Sequence, residues 1–256
     1  CFQLPALLRP GVMVVVSPLI ALMQDQVRLL ADNGIAAGFL NSSLTSAEAG
    51  ARMAALRRGE IKLLYLAPER LMMAGFLDGF LREIAEGPGL SGFTIDEAHC
   101  GSEWGHDFRP EYRQLSRLRE VFPQVPVFAF TATATQRVRD DIVRQLDLRE
   151  AQVHVASFNR PNLYYGVRPR DSRSYGELLD LIRKDRGSGI VYCLSRKRVE
   201  ELANKLVDDG IKALPYHAGL DAQTRHENQY SFLSDDVQVM VATVALGMGI
   251  NKPDVR

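Results

Sequence analysis

This sequence of 256 residues contains few cysteines and has no net charge. The three cysteines, Cys1, Cys100 and Cys193, lie far apart and form no CxxC pair, which argues against a disulfide framework and favours the reducing cytoplasm. Lysine plus arginine and aspartate plus glutamate each number 31, so the formal net charge is zero. Any surface for a polyanion must therefore be a local patch.

Long apolar runs are also missing. The longest, residues 12–23, is interrupted by Ser17 and Pro18 and is shorter than the roughly 20 residues that a membrane-spanning helix needs. No basic segment with an apolar core and a cleavage site opens the chain. We therefore expect no membrane partner. The first residue, Cys1 rather than methionine, leads us to expect a piece of a longer chain.

Short apolar runs alternate with amphipathic stretches along the whole chain, a pattern typical of helices packed on parallel sheets. At about 150 residues per domain the length favours two domains, which we place at residues 1–160 and 161–256. The fold class is therefore α/β, with two mostly parallel sheets flanked by helices. We predict strands at residues 12–16, 61–66, 93–96, 125–130, 189–193, 213–216 and 237–242. We predict helices at residues 19–32, 45–58, 69–84, 110–121, 136–146, 175–184, 196–208 and 222–232.

In open parallel sheets ligands bind beyond the carboxyl ends of the strands, and Asp96-Glu97-Ala98-His99 stands at such an end. Two carboxylates are costly to bury unless a metal ion or water offsets the cost. One carboxylate would then hold Mg²⁺ through water and the other would activate the attacking water. The alternative, which the dipeptide alone favours, is an exposed Asp-Glu turn.

Three other predicted strand ends carry small or hydroxyl residues. A threonine-rich segment with Thr131 and Thr133 follows one strand and would let His99 approach, although it is equally a helix N-cap. Ser17 and Pro18 offer a hydroxyl and backbone N–H groups near a helix start. Gly247 and Gly249 permit close backbone approach after the last strand, or form a simple turn.

Residues 102–112 combine aromatic, basic and turn residues. Trp104 and Phe108 offer flat faces on which nucleic-acid bases can stack, each worth about 1–3 kcal/mol. His106 and Arg109 supply polar groups beside them. A buried core tryptophan is the alternative, but such a polar stretch belongs at a surface.

Two weaker patterns have competing interpretations. Arg168, Arg170 and Arg173 begin a basic stretch that could follow a phosphate backbone or simply form a solvated surface. His99, Cys100 and His106 could be zinc ligands, but a fourth ligand is missing. We therefore do not expect zinc.

Together these segments resemble the superfamily 2 helicases, and residues 102–112 narrow the resemblance to the RecQ family of DNA helicases. The likeness extends over the whole chain and includes, besides residues 96–99, the segments 14–23, 65–70, 191–197, 216–220 and 242–253. The resemblance implies two RecA-like domains with ATP bound in the cleft between them. It also implies 3′ to 5′ movement on single-stranded DNA and unwinding of duplex DNA in repair or recombination.

The same resemblance implies a role for each site residue. Asp96 would hold Mg²⁺ through water, Glu97 would activate the hydrolytic water, and His99 with Thr131 and Thr133 would couple ATP to DNA. Gly247 and Gly249 would contribute to the ATP site. The residues expected to contact DNA are Ser17, Pro18, Trp104, His106, Phe108, Arg109 and Arg196.

The chain departs from the family pattern in three places. It contains no GxxxxGK[ST] phosphate-binding loop. The arginine-finger motif that the family pattern places shortly after residues 251–256 does not follow them. Gly101 stands where the family usually has a bulkier apolar residue. We therefore expect both domains to be truncated at the chain ends and this chain alone not to hydrolyse ATP appreciably. The alternatives are an RNA helicase and a degenerate helicase that binds nucleic acid without catalysis.

Overall fold

A run of apolar, mostly β-branched residues forms the central strand of the first sheet. All five residues of β1 (Val12–Val16) are buried, as expected for a parallel strand covered on both faces. The other strands are β2 (Ala37–Leu40), β3 (Leu63–Leu66), β4 (Leu90–Ile95) and β5 (Val127–Ala129). Their order is β2-β3-β1-β4-β5, and every neighbouring pair is parallel.

The structure is a computed structural model that describes the chain except residues 106, 158, 160, 186, 247–251, 253, 254 and 256, and except the side chains of residues 21 and 245. Cys1–His154 and Val155–Arg256 form two compact units. In the first unit the helices are α1 (Gln3–Leu8), α2 (Ile20–Asp32), α3 (Ser46–Arg57), α4 (Pro68–Leu71), α5 (Leu81–Glu86), α6 (Pro110–Arg113), α7 (Arg117–Val121) and α8 (Gln136–Gln145).

Local sequence signals explain two helix starts in the first unit. Thr45 caps α3 by accepting from the Glu48 backbone N–H, while the Glu48 carboxylate accepts from the Thr45 N–H, which forms a capping box. Thr135 caps α8 by accepting from the Val138 backbone N–H. The Thr135 cap makes α8 begin directly after the threonine-rich segment in the sequence.

Several sequence predictions for the first unit were wrong in detail. The helix predicted at residues 69–84 is interrupted, because Gly75 has φ 75° and begins a separate turn, Phe76–Phe80, ahead of α5. The helix predicted at residues 110–121 contains a 3₁₀ turn, Gln114–Ser116, between α6 and α7. Sequence reasoning also missed β2, which is short and contains Gly38, a residue depleted in strands.

The second unit has a three-stranded parallel sheet. Its strands are β6 (Gly189–Tyr192), β7 (Ala213–Tyr216) and β8 (Val239–Ala242), in the order β6-β8-β7. Its helices are α9 (Ser174–Lys184), α10 (Arg196–Asp208) and α11 (Ala222–Leu233). Val239, Met240, Val241 and Ala242 are all buried, so the central strand again has apolar residues on both faces.

Both units therefore have the predicted α/β architecture of parallel strands and packed helices. Among the helices that the structure describes, none is long and apolar enough to span a membrane.

Candidate active site and nucleic-acid interface

The two adjacent carboxylates lie directly after β4. The Asp96 N–H donates to the Val16 carbonyl and the Ala98 N–H to the Phe130 carbonyl, at 2.8 and 2.9 Å. These bonds fix the turn between its neighbouring strands. Glu97, between them, has φ 47° and ψ 45°, a left-handed conformation that costs a non-glycine residue about 1–3 kcal/mol. The turn therefore holds Glu97 in a strained geometry, as is common at functional sites.

Asp96 is only partly exposed, and its burial raises the pKa of the carboxyl above the ordinary value, although the Glu97 N–H donates to its Oδ1 at 3.0 Å. The buried Tyr112 hydroxyl donates to the Asp96 carbonyl at 3.0 Å and secures the backbone. A raised pKa marks a carboxylate with too few positive partners, and a cation would supply one.

The donor set at this turn fits Mg²⁺. This ion is usually bound by one or two carboxylates together with water and substrate phosphates, and Asp96 offers such a carboxylate. Across the described residues no group of three or more His, Cys, Asp or Glu side chains could hold a metal ion. The carboxylate of Asp96 suits an ion that completes its shell with water and phosphate oxygens.

His99 joins this turn to the threonine-rich segment. Its ring is buried, with Nδ1 2.8 Å from Thr131 Oγ1 and 3.2 Å from Glu97 Oε2. The Thr133 N–H donates to Thr131 Oγ1 at 3.2 Å. The structure therefore brings the predicted catalytic residues Glu97 and His99 together with Thr131, and Thr133 takes part through its backbone.

The aromatic-rich segment returns to this turn. The Gly105 N–H donates to the Ser102 carbonyl at 2.9 Å, and the Arg109 N–H donates to the Cys100 carbonyl at 2.7 Å. A Cβ atom on Gly105 would overlap the His99 carbonyl, so the close contact between the segment and the turn requires glycine. Trp104 is 55% exposed and Phe108 36%, so both aromatic side chains reach the surface.

Arg109 links this segment to the end of β1. Its guanidinium donates to the Pro18 carbonyl at 3.4 Å and lies 3.3 Å from Asp107 Oδ2. Ser17, in contrast, is buried, and within the described part of the chain its hydroxyl has no hydrogen-bond partner. Contact between Ser17 and DNA stays a prediction, and His106 lies outside the described residues.

Cys100 is a member of the site that sequence analysis considered only as a metal ligand. Its buried sulfur lies 3.8 Å from His99 Nε2 and 3.9 Å from Asp107 Oδ2. Burial raises the pKa of the thiol to about 12, so the thiol stays protonated at neutral pH and packs between the carboxylate turn and the aromatic-rich segment.

Sequence analysis also missed two residues of α8. The guanidinium carbon of Arg137 lies 3.1 Å from the centroid of the Trp104 ring. Asp141 is buried and accepts a hydrogen bond from Arg144, and the side chains of Ser102 and Gln145 also lower the pKa of its carboxyl. Their spacing of four places both side chains on one face of the helix, but this spacing does not show which partner that face contacts.

In the second unit, Arg196 begins α10 and is exposed, with its side chain beside Gly219. Arg168 pairs with Glu177, and Arg173 with Asp171, on the surface. Arg170 is also exposed. The predicted roles of these arginines in DNA binding stay predictions. Gly247 and Gly249 lie outside the described residues.

Comparison with known families decides which class of protein this is. Residues 1–142 match the DEAD/DEAH box helicase family, and residues 174–256 match the helicase conserved C-terminal domain. The chain belongs to the DEAD/DEAH box helicase family. It is 46% identical over 257 residues to the ATP-dependent DNA helicase RecQ of Pasteurella multocida and 44% identical over 262 residues to the RecQ-like DNA helicase BLM of Xenopus laevis.

These alignments cover all of this helicase chain but only 40% and 19% of the two relatives, respectively. The chain thus spans about two fifths or less of their length. Over its whole length the chain is similar to RecQ helicases, and this similarity confirms the family resemblance.

Solved structures confirm the fold. The helicase MrfA bound to DNA and AMPPNP has a TM-score of 0.69 and 20% identity, covering 94% of this chain and 36% of that chain. Helicase Lhr of Mycobacterium smegmatis, bound to ssDNA and AMP-PNP, has a TM-score of 0.64 and 19% identity, covering 96% and 35%. The two units therefore have RecA-like helicase folds.

Proposed function

We propose that this chain is part of the motor core of an ATP-dependent DNA helicase of RecQ type. The enzyme would couple ATP hydrolysis to 3′ to 5′ movement on single-stranded DNA and to unwinding of duplex DNA in repair or recombination. The two motor domains are proposed at residues 1–160 and 161–256. The enzyme would act in the reducing cytoplasm, and the three widely separated free cysteines support this location.

One observation supports this proposal most strongly: a continuous set of contacts leads from a carboxylate to an exposed aromatic side chain. Glu97 contacts His99, the His99 carbonyl packs against Gly105, and Gly105 is the neighbour of Trp104. A base stacked on Trp104 would shift this segment and thereby the carboxylate turn. DNA binding would in this way adjust the position of Glu97.

The residues at the turn divide the chemistry between them. Glu97 would accept the proton of the attacking water and orient that water toward the terminal phosphate. Asp96 would hold the ion through its water shell. Bound Mg²⁺ would neutralise charge on the phosphate oxygens. The Nδ1 atom of His99 contacts both the Glu97 carboxylate and Thr131, so His99 would link the position of Glu97 to that of the threonine-rich segment.

The test uses the chain extended at both ends by the flanking sequence of its gene. Replacement of Trp104 or Phe108 by Ala should lower DNA-stimulated ATP hydrolysis more than basal hydrolysis, because the aromatic faces bind DNA and not ATP. The exposed Tyr230, changed to Ala, is the matched control and should leave both rates unchanged. Equal losses in both rates would assign the two aromatic residues to packing.

The same assay separates the alternatives. Stimulation by single-stranded RNA in place of DNA would identify an RNA helicase, and nucleic-acid binding without hydrolysis by the extended chain would identify a degenerate module. Unwinding of a duplex with a 3′ single-stranded tail, and not of one with a 5′ tail, is the result expected for the proposed polarity.

A further inference from the structure

Helix α8 contacts the aromatic-rich segment through two residues of one face. Arg137 and Asp141 are four positions apart, so their side chains lie one above the other on the helix. Arg137 reaches Trp104 and Asp141 reaches Ser102. Two residues on one face of α8 therefore contact two residues of the segment, Ser102 and Trp104, which are two positions apart.

The Arg137 contact covers one face of the indole. A separation of 3.1 Å between the guanidinium carbon and the ring centroid places the planar cation directly over the ring. Such contacts are favourable because the aromatic face is electronegative. Trp104 nevertheless stays 55% exposed, as expected when one of the two ring faces is covered and the other is open.

The Asp141 contact secures the backbone beneath the indole. Ser102 is fully buried, and its side chain interacts with the Asp141 carboxylate and lowers the pKa of that carboxyl. The Ser102 hydroxyl oxygen in turn accepts from the Trp104 N–H at 3.2 Å. Ser102 thus lies between the Asp141 carboxylate of α8 and the main chain of Trp104.

We propose that Arg137 and Asp141 are positioning residues that hold Trp104 with one face backed by a guanidinium and the other face open to a base of single-stranded DNA. This inference rests on the proposed function, because it names the residues that present the proposed DNA-stacking side chain. Thr135 caps α8, so displacement of the indole would also pull on the threonine-rich segment that contacts His99.

Trp104 is the only tryptophan in the chain, so its fluorescence reports on this contact directly. The Arg137→Ala variant should show more efficient acrylamide quenching than the wild-type chain, because the covered face becomes accessible. Its affinity for a fluorescein-labelled oligothymidine, measured by anisotropy, should fall about 2- to 5-fold. Arg149, an exposed residue paired with Asp147, is the control, and Arg149→Ala should change neither quantity.

A double-mutant cycle decides whether Arg137 acts through Trp104. Trp104→Ala alone should weaken binding about 5- to 150-fold, and adding Arg137→Ala should then cause no further loss. An additional 2- to 5-fold loss in the double variant would mean that Arg137 binds phosphate independently, and it would overturn the inference.

Two other results separate this inference from the proposed function. If the wild-type chain binds oligothymidine but Arg137→Ala changes neither quenching nor affinity, the positioning role is wrong while the proposed function stands. If the wild-type chain does not bind oligothymidine, the proposed function fails together with the role that depends on it. Circular dichroism of each variant confirms that its fold is intact.

Discussion

Two aspartates of the first unit show opposite electrostatic behaviour. Asp141, on α8, is buried almost completely, whereas Asp96, after β4, is only partly buried. Burial raises the pKa of Asp96. Burial also acts to raise the pKa of Asp141, but hydrogen bonds from Ser102, Arg144 and Gln145 outweigh it, and the net pKa is lowered. The more buried carboxylate is the better stabilised one.

The difference shows that donors rather than burial decide the state of these carboxylates. The groups that stabilise the charged form of Asp141 all belong to the fold itself, so this carboxylate needs no ligand. Asp96 receives one backbone N–H, from Glu97, and a cation is the partner that would complete it. We infer that Asp141 serves the structure and that Asp96 and its neighbour Glu97 serve a ligand.

The largest expected effect tests the chemical half of this comparison. In the extended chain, Glu97→Gln should lower the rate of ATP hydrolysis by about 10²- to 10⁴-fold, because an amide cannot accept the proton of the attacking water. ATP binding should persist. Steady-state hydrolysis and binding of a fluorescent ATP analogue measure the two quantities.

The control for this substitution is Glu120→Gln on the exposed side of α7, which should hydrolyse ATP at the wild-type rate. Undiminished hydrolysis by the Glu97→Gln variant would remove this residue from the mechanism.

The second effect tests the structural half. Asp141→Asn should lower the free energy of unfolding at pH 7 by about 1–3 kcal/mol, because the buried donors lose a charged acceptor. Urea unfolding followed by circular dichroism measures the change. The exposed Asp140, changed to Asn, should lower the stability by less than about 0.5 kcal/mol. Equal losses at the two positions would contradict a special role for Asp141.

A smaller change in stability, of opposite sign, is expected for substitution of Asp96 at the end of β4. Asp96→Asn should raise the free energy of unfolding at pH 7 by about 0.5–2 kcal/mol, since functional sites are often built at the expense of stability. The amide removes a poorly compensated charge and can still accept from the Glu97 N–H. A loss of stability would show that the Asp96 carboxylate already has sufficient partners within the fold.

The local pattern of the sequence was sufficient for much of the fold. The boundaries of α10 and β7 were predicted to the residue, because the apolar periodicity of α10 is clear and Ser195 caps it. The failures occurred where glycine or tertiary packing overrode the local pattern, as at Gly75 and in β2. Neither a helix interruption nor a four-residue strand has a strong periodic signal.

The site shows the same division. Strand-end reasoning found Asp96, Glu97 and His99, because chemistry in parallel sheets gathers at a known edge. It could not find Arg137 or Asp141. Their contacts join residues more than 30 positions apart in sequence, and an arginine or aspartate on a helix usually faces solvent. Only the packing of α8 against the aromatic-rich segment distinguishes these two.

The smallest expected effect is a pH dependence of the differences in unfolding free energy between the wild-type chain and the Asp96→Asn and Asp141→Asn variants. This dependence tests whether the two aspartates differ as their pKa shifts predict. Because the folded pKa of Asp141 is lowered, its stabilisation is present above the ordinary pKa of 3.8 and is lost as the pH falls through the lower folded value. Because the folded pKa of Asp96 is raised, the protonated form stabilises the fold below 3.8, and this contribution is lost as the pH rises through the higher folded value.

The two asparagine variants should therefore approach the wild-type stability from opposite sides as the pH falls. The advantage of Asp96→Asn should shrink first, since Asp96 is protonated at the higher pH. The deficit of Asp141→Asn should persist to a pH below 3.8. Urea unfolding of the three proteins from pH 7 to below pH 3.8 measures both trends. If the two differences decreased over the same pH range, the donors around Asp141 would not distinguish it from Asp96, and the assignment of one carboxylate to structure and the other to a ligand would fail.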